Sequence, residues 1–253
     1  MFASKSRLFR MALAAVSLIL ITVFGVSACL AMSVTPIQVE MLSAGSQGRA
    51  QITVTNDGSD PLPIEIKIQK LALGENGDRA LSNAPDNFLI FPPQALIKPG
   101  ASQVFRVQWV GEPLLAASES YMMSVNQIPV RLPAGKSAVQ IVMSFGVVIN
   151  VAPPQGLPSL KLVGTGVETD RKTGKRHPTI TVENPTKVHA LLPQSTIGVS
   201  GGGWSYAFTQ GELREKVGIG LVQPGKKRRF VLPVDLPENV TSVQASLDFK
   251  PKR

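Results

Sequence analysis

From Ala138 to Val151 the chain alternates without a break. Val139, Ile141, Met143, Phe145, Val147, Ile149 and Val151 occupy one parity; Ala138, Gln140, Val142, Ser144, Gly146, Val148 and Asn150 occupy the other. Successive side chains of an extended strand point to opposite faces, so the pattern predicts one strand with seven large apolar residues along a single face. At about 3.3 Å per residue such a strand runs ~45 Å, roughly twice the usual length. One sandwich does not easily cover a face that long. An apolar strand left at an edge is an aggregation hazard unless another chain pairs with it.

The rest of the chain beyond residue 31 repeats the same period. Ala50-Gln51-Ile52-Thr53-Val54, Ile64-Glu65-Ile66-Lys67-Ile68, Val104 to Trp109 and Thr179 to Glu183 all alternate apolar with polar, which marks half-buried strands. Asn56-Asp57-Gly58, Pro99-Gly100 and Pro224-Gly225 close such runs as turns. No stretch there carries a convincing helical stripe, with Leu114 to Ser118 at most one turn. The 22 Gly and 20 Pro are spread along the chain, and 43% of residues are apolar, which excludes global disorder. Short strands at regular spacing with Gly/Pro turns predict an all-β chain of antiparallel sandwiches.

Two landmarks recur. Ile52-Thr53-Val54-Thr55-Asn56 returns as Ile180-Thr181-Val182-Glu183-Asn184, 128 residues on, and Pro99-Gly100 followed by Phe105 returns as Pro224-Gly225 followed by Phe230, 125 residues on. Nearly equal offsets predict two sandwiches of similar strand order in tandem. The boundary is expected at Ala152-Pro153-Pro154-Gln155-Gly156, giving domains of 32–152 and 153–253.

Residues 1–31 read as a leader. Lys5, Arg7 and Arg10 precede an apolar run, Met11 to Val26, that is short for a membrane span, and small residues follow through Ala31. This predicts a cleaved signal peptide, export, and no stable membrane insertion afterwards. Two exits are open: cleavage after Ala31, or lipidation at Cys29, since Val26-Ser27-Ala28-Cys29 resembles a bacterial lipobox. The soluble exit is preferred because a strand begins at Val34 and leaves hardly any tether. Cys29 is the single thiol, which excludes an internal disulfide and any Cys-based metal or redox centre.

Of the formal charge of +9, three positive charges lie in the leader. Residues 32–152 hold 8 basic and 9 acidic side chains, and residues 153–253 hold 15 and 8, so the excess belongs to the second half. Lys226-Lys227-Arg228-Arg229 is its densest run and reads as a solvated basic face. Nucleic acid is not an expected partner of an exported chain, and Trp204, Tyr206 and Phe208 alternate as a strand and not as a base-stacking platform. The two histidines, His177 and His189, stand beside charged or turn residues and read as surface groups. No nucleophile elbow, phosphate loop or metal-ligand spacing accompanies them, so no catalytic residue, metal or cofactor is expected. Gly201-Gly202-Gly203-Trp204 reads as a hairpin loop.

An exported pair of immunoglobulin-like domains, with a long alternating strand just before a Pro at the boundary, resembles the periplasmic chaperones of the chaperone–usher pilus pathway. Tyr121 to Asn126 with Gln127-Ile128-Pro129, Phe91-Pro92-Pro93, Ile97-Lys98-Pro99-Gly100 and Glu183-Asn184-Pro185-Thr186 are similar to landmarks of that family, in its order. The resemblance implies donor-strand complementation, in which strand 138–151 is lent to the open groove of a pilus subunit. Val139, Ile141 and Met143 would fill subunit pockets, with Phe145 at the edge of the set. It also implies pilus subunits and an outer-membrane usher as partners, and leaves self-association through the donor strand open. The family's basic pair for the subunit's terminal carboxylate is missing. Gln38 or Val39 stands at the Arg position, and the Lys position falls on or near Val148. Arg106 and Arg131 are the basic residues to test as substitutes. An exported structural or adhesive protein without chaperone activity, lipid-anchored if Cys29 is processed, is the alternative.

Overall fold

The computed structural model describes residues 32–84, 86–129 and 142–251. The leader with Cys29, and the candidate residues Arg131, Val139 and Ile141, lie outside the described residues.

The alternating runs become strands of two layers. The first layer is ordered β1 (Ser33–Thr35), β3 (Arg49–Thr55), β8 (Ser102–Trp109), β6 (Phe88–Phe91). The second runs β2 (Gln38–Leu42), β10 (Ser144–Ala152), β9 (Glu119–Gln127), β4 (Leu62–Leu73), β5 (Arg79–Asn83), with β7 (Gln94–Ile97) also on β4. The chain crosses from one layer to the other at Pro36 and again at Pro92-Pro93, where a ladder N–H is missing and pairing must stop. Ile52, Val54, Ile64, Phe105, Tyr121, Met123, Val147 and Ile149 meet between the layers, each at most 1% exposed. Phe88 stands edge-on to Trp109 and Tyr121, with centroids 5.1 and 4.8 Å away.

Residues 161–249 build a second sandwich. Strands β11 (Lys161–Thr169), β12 (Arg176–Glu183) and β17 (Lys227–Val231) form one sheet, and β15 (Trp204–Phe208), β14 (Ser195–Gly201) and β18 (Gln244–Phe249) form another. The short pair β13 (Ala190–Leu191) and β16 (Leu221–Val222) bridges toward the first sandwich. The all-β, two-sandwich expectation holds. Helix α1 (Gln210–Lys216) was not expected; a capping box of Thr209 and Glu212 starts it, and Leu213 anchors it in the core. Leu114 to Ser118 forms no helical turn.

The sequence repeat is a repeat of bonds. Asn56 Nδ2 donates to Asp60 O (2.8 Å) and Ile97 O (2.9 Å), while its Oδ1 accepts from Gly58 N (3.0 Å). Asn184 Nδ2 donates to Val188 O (2.8 Å) and Val222 O (3.0 Å), and its Oδ1 accepts from Thr186 N (3.0 Å). Their main chains also correspond: Gly100 N donates to Asn56 O (2.9 Å) and Gly225 N to Asn184 O (2.8 Å). Each buried amide ties a strand end to its turn and to a neighbouring strand, satisfying carbonyls that burial would otherwise leave unpaired.

Candidate binding strand and the cleft behind it

Strand β10 is the element that the alternation singled out. It pairs antiparallel with β9 from Ser144 to Val151, and parallel with β2 only from Val148 to Ala152. The last bond on the β2 side is Val148 N to Ile37 O, at 3.0 Å. Among the described residues, Ser144 to Val147 therefore have a strand on one edge and none on the other. Toward the first core, Val147, Ile149 and Val151 are fully buried. Phe145 and Met143 are half-buried at its margin. Val142, on the other parity, is 48% exposed. The domain thus covers the C-terminal half of the apolar face with its own core and only partly covers Met143 and Phe145. The described strand starts at Ser144, and one residue earlier Met143 O still accepts from Gln127 N at 2.9 Å.

The opposite parity of β10 faces the second sandwich. Val148, with Leu71, Met122 and Leu221, forms an apolar cluster between the two sandwiches, with Leu73, Leu191 and Ile219 around it. Beside it, Gln223 substitutes for a strand. Its Nε2 donates to Leu71 O (2.8 Å) and its Oε1 accepts from Leu73 N (2.9 Å), beyond the point where β9 stops pairing with β4. The β4–β5 hairpin continues onto the second sandwich, where Arg229 N donates to Glu75 O (2.7 Å). Arg228 lies under this hairpin, donating to Leu221 O (3.0 Å) with its guanidinium 5.1 Å from the Phe230 ring centroid. Burial, and then the nearby Arg79, lower its pKa, with Asp78 opposing. Arg229 is paired with Glu168 at 2.6 Å. The expected solvated face at Lys226 to Arg229 is therefore corrected. Half of that run is structural, because β17 alternates and turns Arg228 into the seam.

On the same face Gln38 lies in register with Val148, and Glu40 with Asn150. Gln38 and Val148, two of the positions expected to lack the basic pair, are thus neighbours, and neither is cationic. Gln38 Nε2 and Asn150 Nδ2 donate to Glu40 Oε1 at 2.8 and 2.9 Å, and Asn150 Oδ1 accepts from Ser120 Oγ at 2.8 Å. Glu40 Oε2 meets His189 Nε2 of the second sandwich at 2.5 Å. Burial pushes the Glu40 carboxyl up, but the His189 hydrogen bond and charge, with Gln38 and Asn150, outweigh it and hold its pKa below the usual carboxylate value. His189 is corrected from a surface group: its side chain is 7% exposed. The short β13 that follows draws it inward, a packing event with no signature in its neighbours. His177, by contrast, bonds Val234 O beside Asp235.

A cavity of about 590 Å³ opens next to this pair, walled by Glu40, Arg49, Ala152, Pro158, His189 and Gln194 among others. Arg106 is exposed on β8, in the layer opposite β2 and β10, so the fold does not bring it to the cleft. Among the described residues no group of three or more His, Cys, Asp or Glu side chains is placed to hold a metal ion. No helix among them is long and apolar enough to cross a membrane.

This arrangement, a first sandwich ending in a half-paired strand that leads into a Pro boundary, coincides with a known family. Residues 32–156 match the profile of the pili and flagellar-assembly chaperones, PapD N-terminal domain. Residues 32–156, just under half of the chain, belong to this chaperone family. Similar solved structures extend the likeness over both sandwiches. The SafB chaperone, solved with the SafA pilin of Salmonella enterica, is 15% identical over 89% of this chain and 99% of its own, with a TM-score of 0.52. The class 5 fimbriae chaperone CfaA is 12% identical over 87% and 99%, with a TM-score of 0.51. The YadV chaperone is 14% identical over 86% and 100%, at 0.50. Such likenesses carry the fold. No curated protein sequence matches the chain.

Proposed function

We propose that this family member is a periplasmic chaperone that holds pilus subunits by lending them β10 and the residues before it, then passes them to an outer-membrane usher. The carrying observation is the open edge of Ser144 to Val147, beside Met143 and Phe145 that the domain's own core only half covers. An incoming strand would add main-chain bonds to that edge, and alternate side chains would give specificity. Val139, Ile141 and Met143 are the donated set, with Phe145 at its margin; each such side chain taken from water contributes roughly 1.5–3 kcal/mol. In this reading residues 32–152 are the chaperone domain, 153–253 are the second domain, and 1–31 direct export. The action is binding without turnover.

Co-expression with candidate subunits tests it, comparing the wild type with Ile141→Asp and Met143→Asp. A buried carboxylate in a subunit pocket is strongly unfavourable, so both variants should lose the complex and deplete the subunit. Equal subunit levels and complex yield in all three would sink the proposal. An intact mass of the exported protein decides between cleavage after Ala31 and lipidation at Cys29.

A further inference from the structure

The two sandwiches are joined by two seams of different chemistry. One consists of an apolar cluster, the Gln223 amide on β4 and the Arg229 N to Glu75 O bond. The other, among the described residues, pairs two ionisable side chains, Glu40 and His189, 149 residues apart in sequence, beside two bonds made by Ser118. Glu40 is fixed from its own sandwich at Oε1, leaving Oε2 for the imidazole. His189 is held less completely. Its main-chain N donates to Ser118 Oγ at 3.1 Å, and Ser118 N donates to Lys187 O at 2.8 Å. Among the described residues its buried Nδ1 has no partner, and Glu40 is the charged side chain that meets the ring.

We infer that the Glu40–His189 contact is a latch between the sandwiches that opens in acid, while the Gln223 seam stays closed as a pivot. The physical reason is the ring's single partner. Once Glu40 takes up a proton, the buried imidazole loses the carboxylate that faces it and is left with Nδ1 unbonded. The adjoining cavity gives it room to open into. Because the folded Glu40 pKa lies below its ordinary 4.5, the carboxylate's contribution is complete above that value and is lost as pH falls through the lowered one. The other charged groups on the surrounding elements are Arg49 on β3, which walls the same cavity; Glu119 on β9, engaged by Lys70 on β4 at 2.8 Å; and exposed Lys187. Strand β10 contributes only the neutral Asn150.

Amide hydrogen exchange resolved by residue, corrected for intrinsic rates, reads both seams in one sample. Ser118 and His189 N–H report the latch; Leu73 and Arg229 N–H report the pivot. From about pH 6 to about pH 3 the protection of the first two should fall roughly tenfold or more, with the second two unchanged. Glu40→Gln keeps an acceptor but not the charge, and should give low latch protection at both pH values. Three outcomes overturn the latch: flat protection at Ser118 and His189, a wild-type acid response in Glu40→Gln, or a parallel fall at Leu73 and Arg229, which is global acid unfolding.

Discussion

Replacing Asn184 by Ala tests whether the repeated buried amides hold the sandwiches together. Asn184 is 0% exposed and makes two side-chain donations and two acceptances, the latter from Thr186 N and Thr186 Oγ1. The single hydroxyl proton of Thr186 Oγ1, freed from Asn184, would turn to Val188 O at 2.9 Å. Val222 O and Thr186 N would lose the partner Asn184 provides. An unsatisfied buried donor or acceptor costs about 1–3 kcal/mol, so the pair amounts to roughly 2–6 kcal/mol. With a urea slope of about 1.5 kcal/mol/M for a domain of this size, the midpoint drops by roughly 1–4 M. The two tryptophans separate the sandwiches, Trp109 reporting the first and Trp204 the second. Urea titration of Asn184→Ala in a Trp109→Phe background should show the loss in Trp204 fluorescence. Asn184→Asp should be worse at neutral pH, since a carboxylate would face two carbonyls, and should recover toward Ala in acid, where it can donate. A loss below about 0.5 kcal/mol in Asn184→Ala refutes the reasoning, as those carbonyls would then have found other partners.

Two further outcomes follow from local geometry. Gln223→Ala removes both bonds to Leu71 O and Leu73 N, so the Trp109 and Trp204 unfolding transitions should separate, with coupling reduced by about 1–3 kcal/mol; unchanged coincidence would show that the apolar cluster suffices. In the β14–β15 turn, a Cβ on Gly201 would lie 2.3 Å from Ser242 O, whereas Gly203 at φ 82° meets nothing within 4 Å. Gly203→Ala should cost about 1 kcal/mol of left-handed strain and Gly201→Ala at least twice that, measured by urea titration; the reverse order would contradict the packing assigned to this hairpin.

The parts of the fold legible in the sequence are those in which a residue's own neighbours determine its environment. Alternation located β3, β4, β8 and β12 because a strand's two faces are encoded by adjacent residues. Asn56 and Asn184 were legible as a repeat, since each terminates a strand beside a turn of its own. Helix α1 was not, because at seven residues it is too short for a stripe and rests on a Thr209–Glu212 cap and one buried Leu213. The cleft was the least legible region. Val148 and Asn150 read as the outer parity of β10, yet Val148 packs with Leu221 of the second sandwich and Asn150 is buried in the Glu40 network. His189 and Arg228 are buried by contacts from residues more than a hundred positions away, and no local pattern records that.

The cleft also gives a reason for the absence of the basic pair implied by the family resemblance. A Lys at position 148 would project into the cluster of Leu71, Met122 and Leu221, of which Val148 is a 9%-exposed member, and its ammonium would lie in apolar surroundings. Burying an unpaired charge there would cost several kcal/mol or force the sandwiches apart. An Arg at position 38 would stand over Glu40, compete with His189 for the carboxylate, and remove the amide that Gln38 donates to Glu40 Oε1. Both positions are therefore tied to the seam: the apolar cluster occupies position 148, and the Glu40 network uses position 38. Restoring either cation alone should weaken the joint between the sandwiches before it could strengthen any grip on a subunit's end.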